Sequence, residues 1–426
     1  MCKICIVYEL SAKNLKMTFH VSWTYIICFL DFFGISVFIP LFSGHLKSLG
    51  ASHFFIGAVS SIYAGCQLLS GPIIGSLSDR LGRQNILIFC LSVTSACYFF
   101  MGITYSFYFI LFLRATLGTF KHIQSLNRTI VADHVSIEDQ TVVFGRLNAI
   151  AGISFTIGPA IGGHFAELEN GFSHICYFTS VIFVLNIVIS YLYLEDPPKE
   201  KKASKLKNVD LSTLVKSIPK NLIAALYGLA SINWPIFWDI FLMKFVTAMA
   251  KDSFINNYSI KVRERFQVSP KSVGYSLALQ GFSAAVAGLS MGYINKLLYK
   301  EKVDYERHST RIHIFVTFIY LALLCTSQVQ FFVLFGMVLT FFSMILRVKE
   351  TEMLFQRCPP SQRGSLVGMG TSITNIARML APLIVGIAED LYGVSSGITL
   401  AIIMSIIAIF VSIKVNNSMA VMAKND

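Results

Sequence analysis

The chain has 426 residues, 54% of them hydrophobic and 14% charged, with a mean hydropathy of +0.64. Apolar stretches of about twenty residues follow one another, which excludes a water-soluble globule and points to membrane-spanning segments. The formal charge of +12 then belongs to basic loops on one side of a bilayer rather than to a nucleic-acid partner.

No stretch alternates strictly with period two, so the spans are α-helices rather than barrel strands. The first residues, MCKICIVYELSAKNLK, are too polar for the apolar region of a cleaved signal peptide. Twelve helices are predicted, at 22–44, 54–77, 85–104, 107–131, 143–165, 173–194, 236–259, 272–294, 312–328, 330–353, 365–388 and 394–414. The long polar segment EDPPKEKKASKLKNVDLSTLVKSIPK, with seven lysines, splits them six and six. The predicted organisation is a first six-helix bundle (1–195), a linker with an amphipathic helix (196–235) and a second bundle (236–426).

Lys and Arg set the orientation. With the linker cytosolic, both termini are cytosolic as well. Arg80, Arg83, Arg146, Lys300, Lys302, Arg307, Lys349, Arg357 and Arg363 then fall in loops on that side, and the opposite loop AELEN is acidic. One loop disagrees: KVRERFQVSPK, after helix 7, is basic and external. Trp23, Trp234 and Trp238 fall at the cytosolic ends of helices 1 and 7, as interfacial anchors do.

The halves repeat each other. A shift of 217 residues places Gly57, Gly71 and Gly75 on Gly274, Gly288 and Gly292, and a shift of 223 places Gly145, Pro159 and Gly163 on Gly368, Pro382 and Gly386. With the six-plus-six division, this reads as a duplication, a plan common among secondary transporters.

Along the chain, Asp31 in FLDFFGISVFIPLF lies about nine residues into helix 1, or ~13 Å deep at 1.5 Å per residue. A carboxylate at that depth is a functional candidate by default. In GPIIGSLSDRLGRQN, Gly71 and Gly75 form a small-residue face, followed by Asp79, Arg80, Gly82 and Arg83 at the membrane edge. Taken alone, that loop is either a solvated turn or a working part. Helix 4 carries Arg114 and Lys121 within the span and Asp133 at its end. Asp31 and Arg114 differ in depth by only ~7 Å, so a buried Asp31–Arg114 pair is expected, static or coupled to transport. Helix 5 contains Gly152, Gly158, Pro159, Gly162 and Gly163, a kinked helix with a flat packing face. Lys251-Asp252 in helix 7 cannot share one face, which predicts a break there. Arg378 sits mid-way along helix 11. Arg114, Lys121 and Arg378 outnumber Asp31, so an anionic or zwitterionic solute is expected, unless these cations snorkel or bind backbone carbonyls.

His122, His164 and His313 read as hydrogen-bonded polar residues rather than ligands. The nine cysteines are scattered, with one lone Cys2-x-x-Cys5 and no accompanying His cluster, so no metal and no cofactor is expected. The sequons at Asn127 and Asn416 fall on the cytosolic side. No catalytic constellation is present, so an enzyme is not expected.

GSLSDRLGR resembles the signature of the major facilitator superfamily, departing only at Gln84, where a basic residue is usual. That resemblance implies a twelve-helix transporter of two pseudo-symmetric bundles. It also implies a cytosolic latch in which Asp79 faces the start of helix 11 and Arg83 pairs with Asp133. The second-half copy, GYINKLLYK, has lost the motif. The helix 5 glycines are similar to the signature of the drug:proton antiporters, as are Asp31 with Pro40, and Arg114 with Gly118 but without the usual Gln. Stretches outside the motifs, among them KSLGAS, GTFKH and AELENGF, look like an animal branch related to tetracycline-type exporters. The expected function is secondary active transport of a small organic solute, with proton antiport. The alternatives are an uncoupled or symporting organic-anion carrier, and a non-transporting sensor or scaffold. The expected partners are the solute, protons and the lipid of a plasma membrane or endomembrane. The chain is expected to be a monomer.

Overall fold

The computed structural model describes residues 3–135, 137–194, 234–298, 304–357 and 363–425. The predicted linker and its amphipathic helix, with Lys300 and Lys302, lie outside the described residues. Fourteen helices and no strand are found among them. They are α1 (Lys3–Ser48), α2 (His53–Leu81), α3 (Arg83–Ile103), α4 (Phe107–Phe120), α5 (Ile123–His134), α6 (Ile137–Phe165) and α7 (Gly171–Tyr193), then α8 (Trp234–Ile255), α9 (Tyr258–Phe266), α10 (Pro270–Leu298), α11 (Asp304–Cys325), α12 (Val329–Gln356), α13 (Arg363–Tyr392) and α14 (Ser396–Asn425).

Nine of these are long and apolar enough to cross a membrane, among the described residues. The other three predicted spans exist as helices but depart from that pattern. Helix 4 is divided at Lys121-His122 into α4 and α5, contrary to the unbroken 107–131 expected. No Pro or Gly marks the break. Gln67 Nε2 donates to the Lys121 carbonyl at 2.9 Å and replaces the lost helical bond. Helix 7 carries Asp239, Lys244, Lys251 and Asp252 within α8. It runs through Lys251-Asp252 unbroken and ends instead before Asn257, whose φ of 56° turns the chain into α9. Helix 8 is α10, rich in Gly and Ser.

Most of the residues expected as an external basic loop form α9, and two of its three cations, Lys261 and Arg265, are held inside the protein while Arg263 is exposed. Lys261 is 2% exposed, against Glu389. Arg265 donates to the carbonyls of Leu323, Leu324 and Thr326 at the end of α11. Those two cations no longer count as a topological signal, and Arg263 remains as the exposed exception in the charge pattern. Lys349, expected in a loop, lies within α12 and is fully buried. Trp234 and Trp238 are exposed, Trp23 stacks on Tyr193, and Lys414 Nζ lies 4.4 Å from the Trp238 ring centroid.

The helices form two groups, each with its own apolar core. The first is built around Ile27, Phe38, Leu87, Tyr98 and Phe183, the second around Phe254, Tyr320, Leu323 and Phe332. Two seams join them, α2 on α13 and α6 on α10. Both are made of glycine. A Cβ on Gly57 would strike the Pro382 carbonyl and lie 3.5 Å from Gly386. A Cβ on Gly274 would strike the Pro159 carbonyl and lie 2.8 Å from Gly163. Gly57 and Gly274 are partners under the first sequence shift; Pro159 and Pro382, and Gly163 and Gly386, are partners under the second. The duplication read from sequence therefore meets itself at both seams.

The seams run from one end to about the middle of α6 and α10, where Gly152 meets Ala285. Towards the end that carries Asp79, a Cβ on Gly75, Gly145 or Gly368 would meet nothing within 4 Å. The molecule is zipped at the Glu389 end and parted at the Asp79 end.

Candidate functional site

Asp31 is 1% exposed and accepts from Lys121 Nζ at 2.7 Å. The helix break places the ammonium there. Lys121 caps α4 with φ −82° and ψ 70°, and its Nζ lies 4.3 Å from the centroid of Phe183. Asp31 Oδ2 is buried with no hydrogen-bond partner, so half of the carboxylate is unsatisfied. The expected Asp31–Arg114 pair is absent. Arg114 is instead clamped between Phe42 and Tyr63, with Cζ 4.5 Å from each ring centroid. Lys121 reaches the acid because the break turns it off the helix, an event that linear depth arithmetic did not contain.

A cavity of about 220 Å³ within the first group is lined by Gly71, Gly75, Asp79, Arg83, His122 and Thr129 among others, and by neither Asp31 nor Lys121. His122 lies in the break, and its Nε2 shares a proton with Ser70 Oγ at 2.8 Å. His164 and His313 likewise have partners, Tyr275 Oη at 2.8 Å and Thr247 Oγ1 at 3.2 Å.

At the cavity mouth, Arg83 is paired with Asp133, and its Nη2 donates to Asp133 Oδ1 at 3.2 Å. Asp79 lies 3.3 Å from Arg83 Nη1, and its side chain is 63% exposed. Gly82 has φ 100°, which favours glycine and makes the tight α2–α3 turn. Arg80 is exposed. Gln84 donates from Nε2 to the Ser190 and Tyr191 carbonyls at 3.1 and 3.3 Å; an amide thus caps α7 at the position where a basic residue is usual. The Asp79–Arg83–Asp133 chain lies wholly within the first group of helices.

The helix 5 glycines serve two neighbours. Gly152 and Gly163 face α10, at Ala285 and at Lys271 and Gly274. Gly158 and Gly162 face α1, at Ser36 and Val37. Pro159 meets Gly274 through its carbonyl. Arg378 is not beside Asp31. It is exposed and interacts electrostatically with Lys251, Asp252 and Arg347 of the second group.

Two clusters were missing from the sequence reading. At the zipped end Glu389, 3% exposed, accepts from Asn257 Nδ2 at 2.7 Å, forms an ion pair with Lys261 Nζ at 3.1 Å, and lies 3.4 Å from His53 Nδ1. Burial pushes the Lys261 ammonium down from its ordinary range, with Glu389 pulling it back up. Asp390 accepts the His53 and Phe54 N–H groups at 2.9 and 2.8 Å, which joins α13 to the start of α2. In the second group Asp239 pairs with Arg357 Nη1 at 2.6 Å.

The sequence profile of the Major Facilitator Superfamily matches residues 24–297 and 240–419. The chain is 23% identical over 366 residues to the Quinolone resistance protein NorA of Staphylococcus aureus (strain MSSA476), covering 85% of this chain and 88% of that protein. It is 23% identical over 369 residues to Multidrug resistance protein 2 of Bacillus subtilis (strain 168), covering 85% and 87%. Among solved structures it is similar to the human organic anion transporter MFSD10 (TM-score 0.67, 18% identity, 93% of this chain and 99% of that one). It is also similar to a bacterial homolog of the human lysosomal transporter Spinster, in an inward-facing and unoccupied conformation (TM-score 0.76, 13% identity, 95% and 97%).

Proposed function

The chain belongs to the Major Facilitator Superfamily and is an integral multi-pass membrane transporter, and from that membership we propose that it moves a small organic solute by alternating access, in exchange for protons. We assign residues 1–195 and 236–426 to two six-helix bundles joined by 196–235, with both termini cytosolic. The Asp79 end is then the cytosolic end. The described conformation is open to the cytosol, and the protein works as a monomer in a plasma membrane or endomembrane.

The observation that carries the antiport reading is the buried Asp31–Lys121 pair with an unsatisfied carboxylate oxygen. Protonation of Asp31 removes the partner of a buried ammonium, so proton binding and the position of Lys121 are linked. The helix break lets α4 and α5 move against each other as that link operates. Arg83–Asp133 forms the standing half of the cytosolic latch, and Asp79 is the half that engages α13 when that end closes. The bacterial relatives named for quinolone and multidrug resistance support an organic solute.

The test is uptake into proteoliposomes under an imposed pH gradient. Wild type accumulates solute against its gradient. Asp31→Asn loses the pH-driven component by about ten-fold or more while retaining exchange. A gradient without effect on wild type rejects antiport. The second reading, an uncoupled or symporting organic-anion carrier, is supported by the accessible cations around Arg378, and gradient-independent uptake of an anion would establish it.

A further inference from the structure

We propose that His53 is a proton-binding site at the seam between the two groups of helices, and that the proton it takes up holds the Glu389 end shut. His53 is the first residue of α2 in the first group, and Glu389 lies near the end of α13 in the second. His53 is 7% exposed and has a charged side chain at each ring nitrogen. Lys47 Nζ of α1 is 2.8 Å from Nε2, and Glu389 Oε2 is 3.4 Å from Nδ1. The backbone N–H of His53 is held by Asp390.

An ammonium only donates, so Nε2 accepts from Lys47 and the ring carries its hydrogen on Nδ1, facing Glu389. The described ring is therefore neutral, and Lys47 occupies the lone pair to which a proton would add. The surroundings decide which neighbour yields. Glu389 is fixed: its side chain has no exposure, Asn257 Nδ2 donates to Oε2 at 2.7 Å, and Lys261 Nζ pairs with Oε1 at 3.1 Å. Lys261 is itself pinned by the carbonyls of Ser253 and Asn256, each at 2.8 Å. Lys47 is free to swing, since its side chain is 39% exposed and already lies 4.0 Å from Glu264 Oε1 of α9. The remaining charged or titratable neighbours have other contacts. Arg263 is exposed beside Gly44, and His45 is stacked on Phe172 at 3.6 Å.

Protonation exchanges one contact for another. The proton binds the Nε2 lone pair, Lys47 moves to Glu264, and the imidazolium keeps Nδ1–H against Glu389. A neutral ring between two charges becomes an ion pair that joins α2 to α13. That pair exists only while the groups are together, so the proton favours the closed arrangement. Ile260 of α9, which sits in the apolar core of the first group, and the two N–H groups held by Asp390 have to part when this end opens. The added hold is present in acid and lost as the imidazolium gives up its proton, which for histidines ordinarily happens between roughly pH 5 and 8. On the proposed topology the proton arrives from the side opposite the cytosol.

The inference takes from the transporter reading only that this end opens. The experiment is hydrogen exchange of the full-length protein in detergent between about pH 5.5 and 8.5, with labelling times scaled to the intrinsic rate. In wild type the first turn of α2 is expected to be about ten-fold better protected at the acid end. His53→Gln keeps an acceptor for Lys47 and a donor for Glu389 but takes no proton, so it should show the alkaline rate of wild type throughout. Lys47→Gln removes the charge that competes for Nε2 and should move the response to higher pH without abolishing it. A purely structural role for these side chains would change the rate alike at every pH.

An equal pH response in wild type and His53→Gln, protection that falls in acid, or a response in Lys47→Gln at the wild-type pH would overturn the site. Lys47→Gln, at a half-exposed position, decides the matter even where His53→Gln does not fold. Asp31→Asn should keep the response, because the Asp31–Lys121 pair lies within the first group. A response without pH-driven uptake defeats antiport alone, and pH-driven uptake without a response defeats this site alone.

Discussion

Asp390 caps a helix to which it does not belong. Its two oxygens take the first N–H groups of α2 from the last turn of α13, so one carboxylate both satisfies orphan donors and ties the two helix groups together. Asp390→Asn keeps the shape and removes the charge, and hydrogen exchange in the first turn of α2 should rise about five-fold, with the α4–α5 break unchanged. Equal rates in both proteins would show that water replaces the cap without loss. Neither this contact nor its neighbour was legible in sequence, because IAEDLY reads as a helix running out into solvent. What buries Glu389 is Lys261, 128 positions away (389 − 261). Asp31 was legible as a costly buried acid; its partner was not, since the choice between Arg114 and Lys121 depended on a break that carries no Pro or Gly.

Helix boundaries were read within a few residues for most spans, because hydrophobic length is a strong signal and Gly82 marks its turn by chemistry. The glycine spacing was equally legible, and it acquired its meaning when Gly57 and Gly274 were found against Pro382 and Pro159. A branched side chain at either site meets backbone, which cannot rotate away. Gly274→Val should lower Tm of the purified protein by several degrees, roughly the effect of 1–3 kcal/mol of overpacking, and should depress uptake as well. Gly75→Val, in open space on the same proposed duplication, should leave Tm within about a degree while slowing uptake. If both variants melt alike, the seams are not what holds the Glu389 end shut.

For the whole molecule, the same arithmetic names a contact absent from this conformation. The duplication equates Gly75 with Gly292 and Gly145 with Gly368. Closing the Asp79 end in the manner of the Glu389 end therefore brings Gly75 of α2 to Gly368 of α13. Cysteines placed at both, Gly75→Cys with Gly368→Cys, should cross-link in the membrane, and the yield should fall in Asp79→Asn if the proposed latch operates. No cross-link under any solute or pH condition would argue against a closure that copies the existing seams. Net charge gave the cationic character of the chain early, yet not its location. Lys121 and Arg114, the cations chosen from depth, are taken up by a carboxylate and by two aromatic rings, partners whose facing could not be read from one dimension.

The burial of Lys261 on Glu389 has a consequence for how the protein is made. On the proposed topology, α9 must be carried across the bilayer about 6–26 s before its counter-ion leaves the ribosome, at 5–20 residues per second. During that interval the lysine is a cation with no acid to receive it. The nascent chain therefore has a waiting period in which α8 to α12 of the second group are made but unlocked, and its release coincides with the synthesis of α13. A ribosome stalled before residue 389 would hold that intermediate, and Lys261 would be open there to an amine-reactive reagent that cannot reach it in the finished transporter.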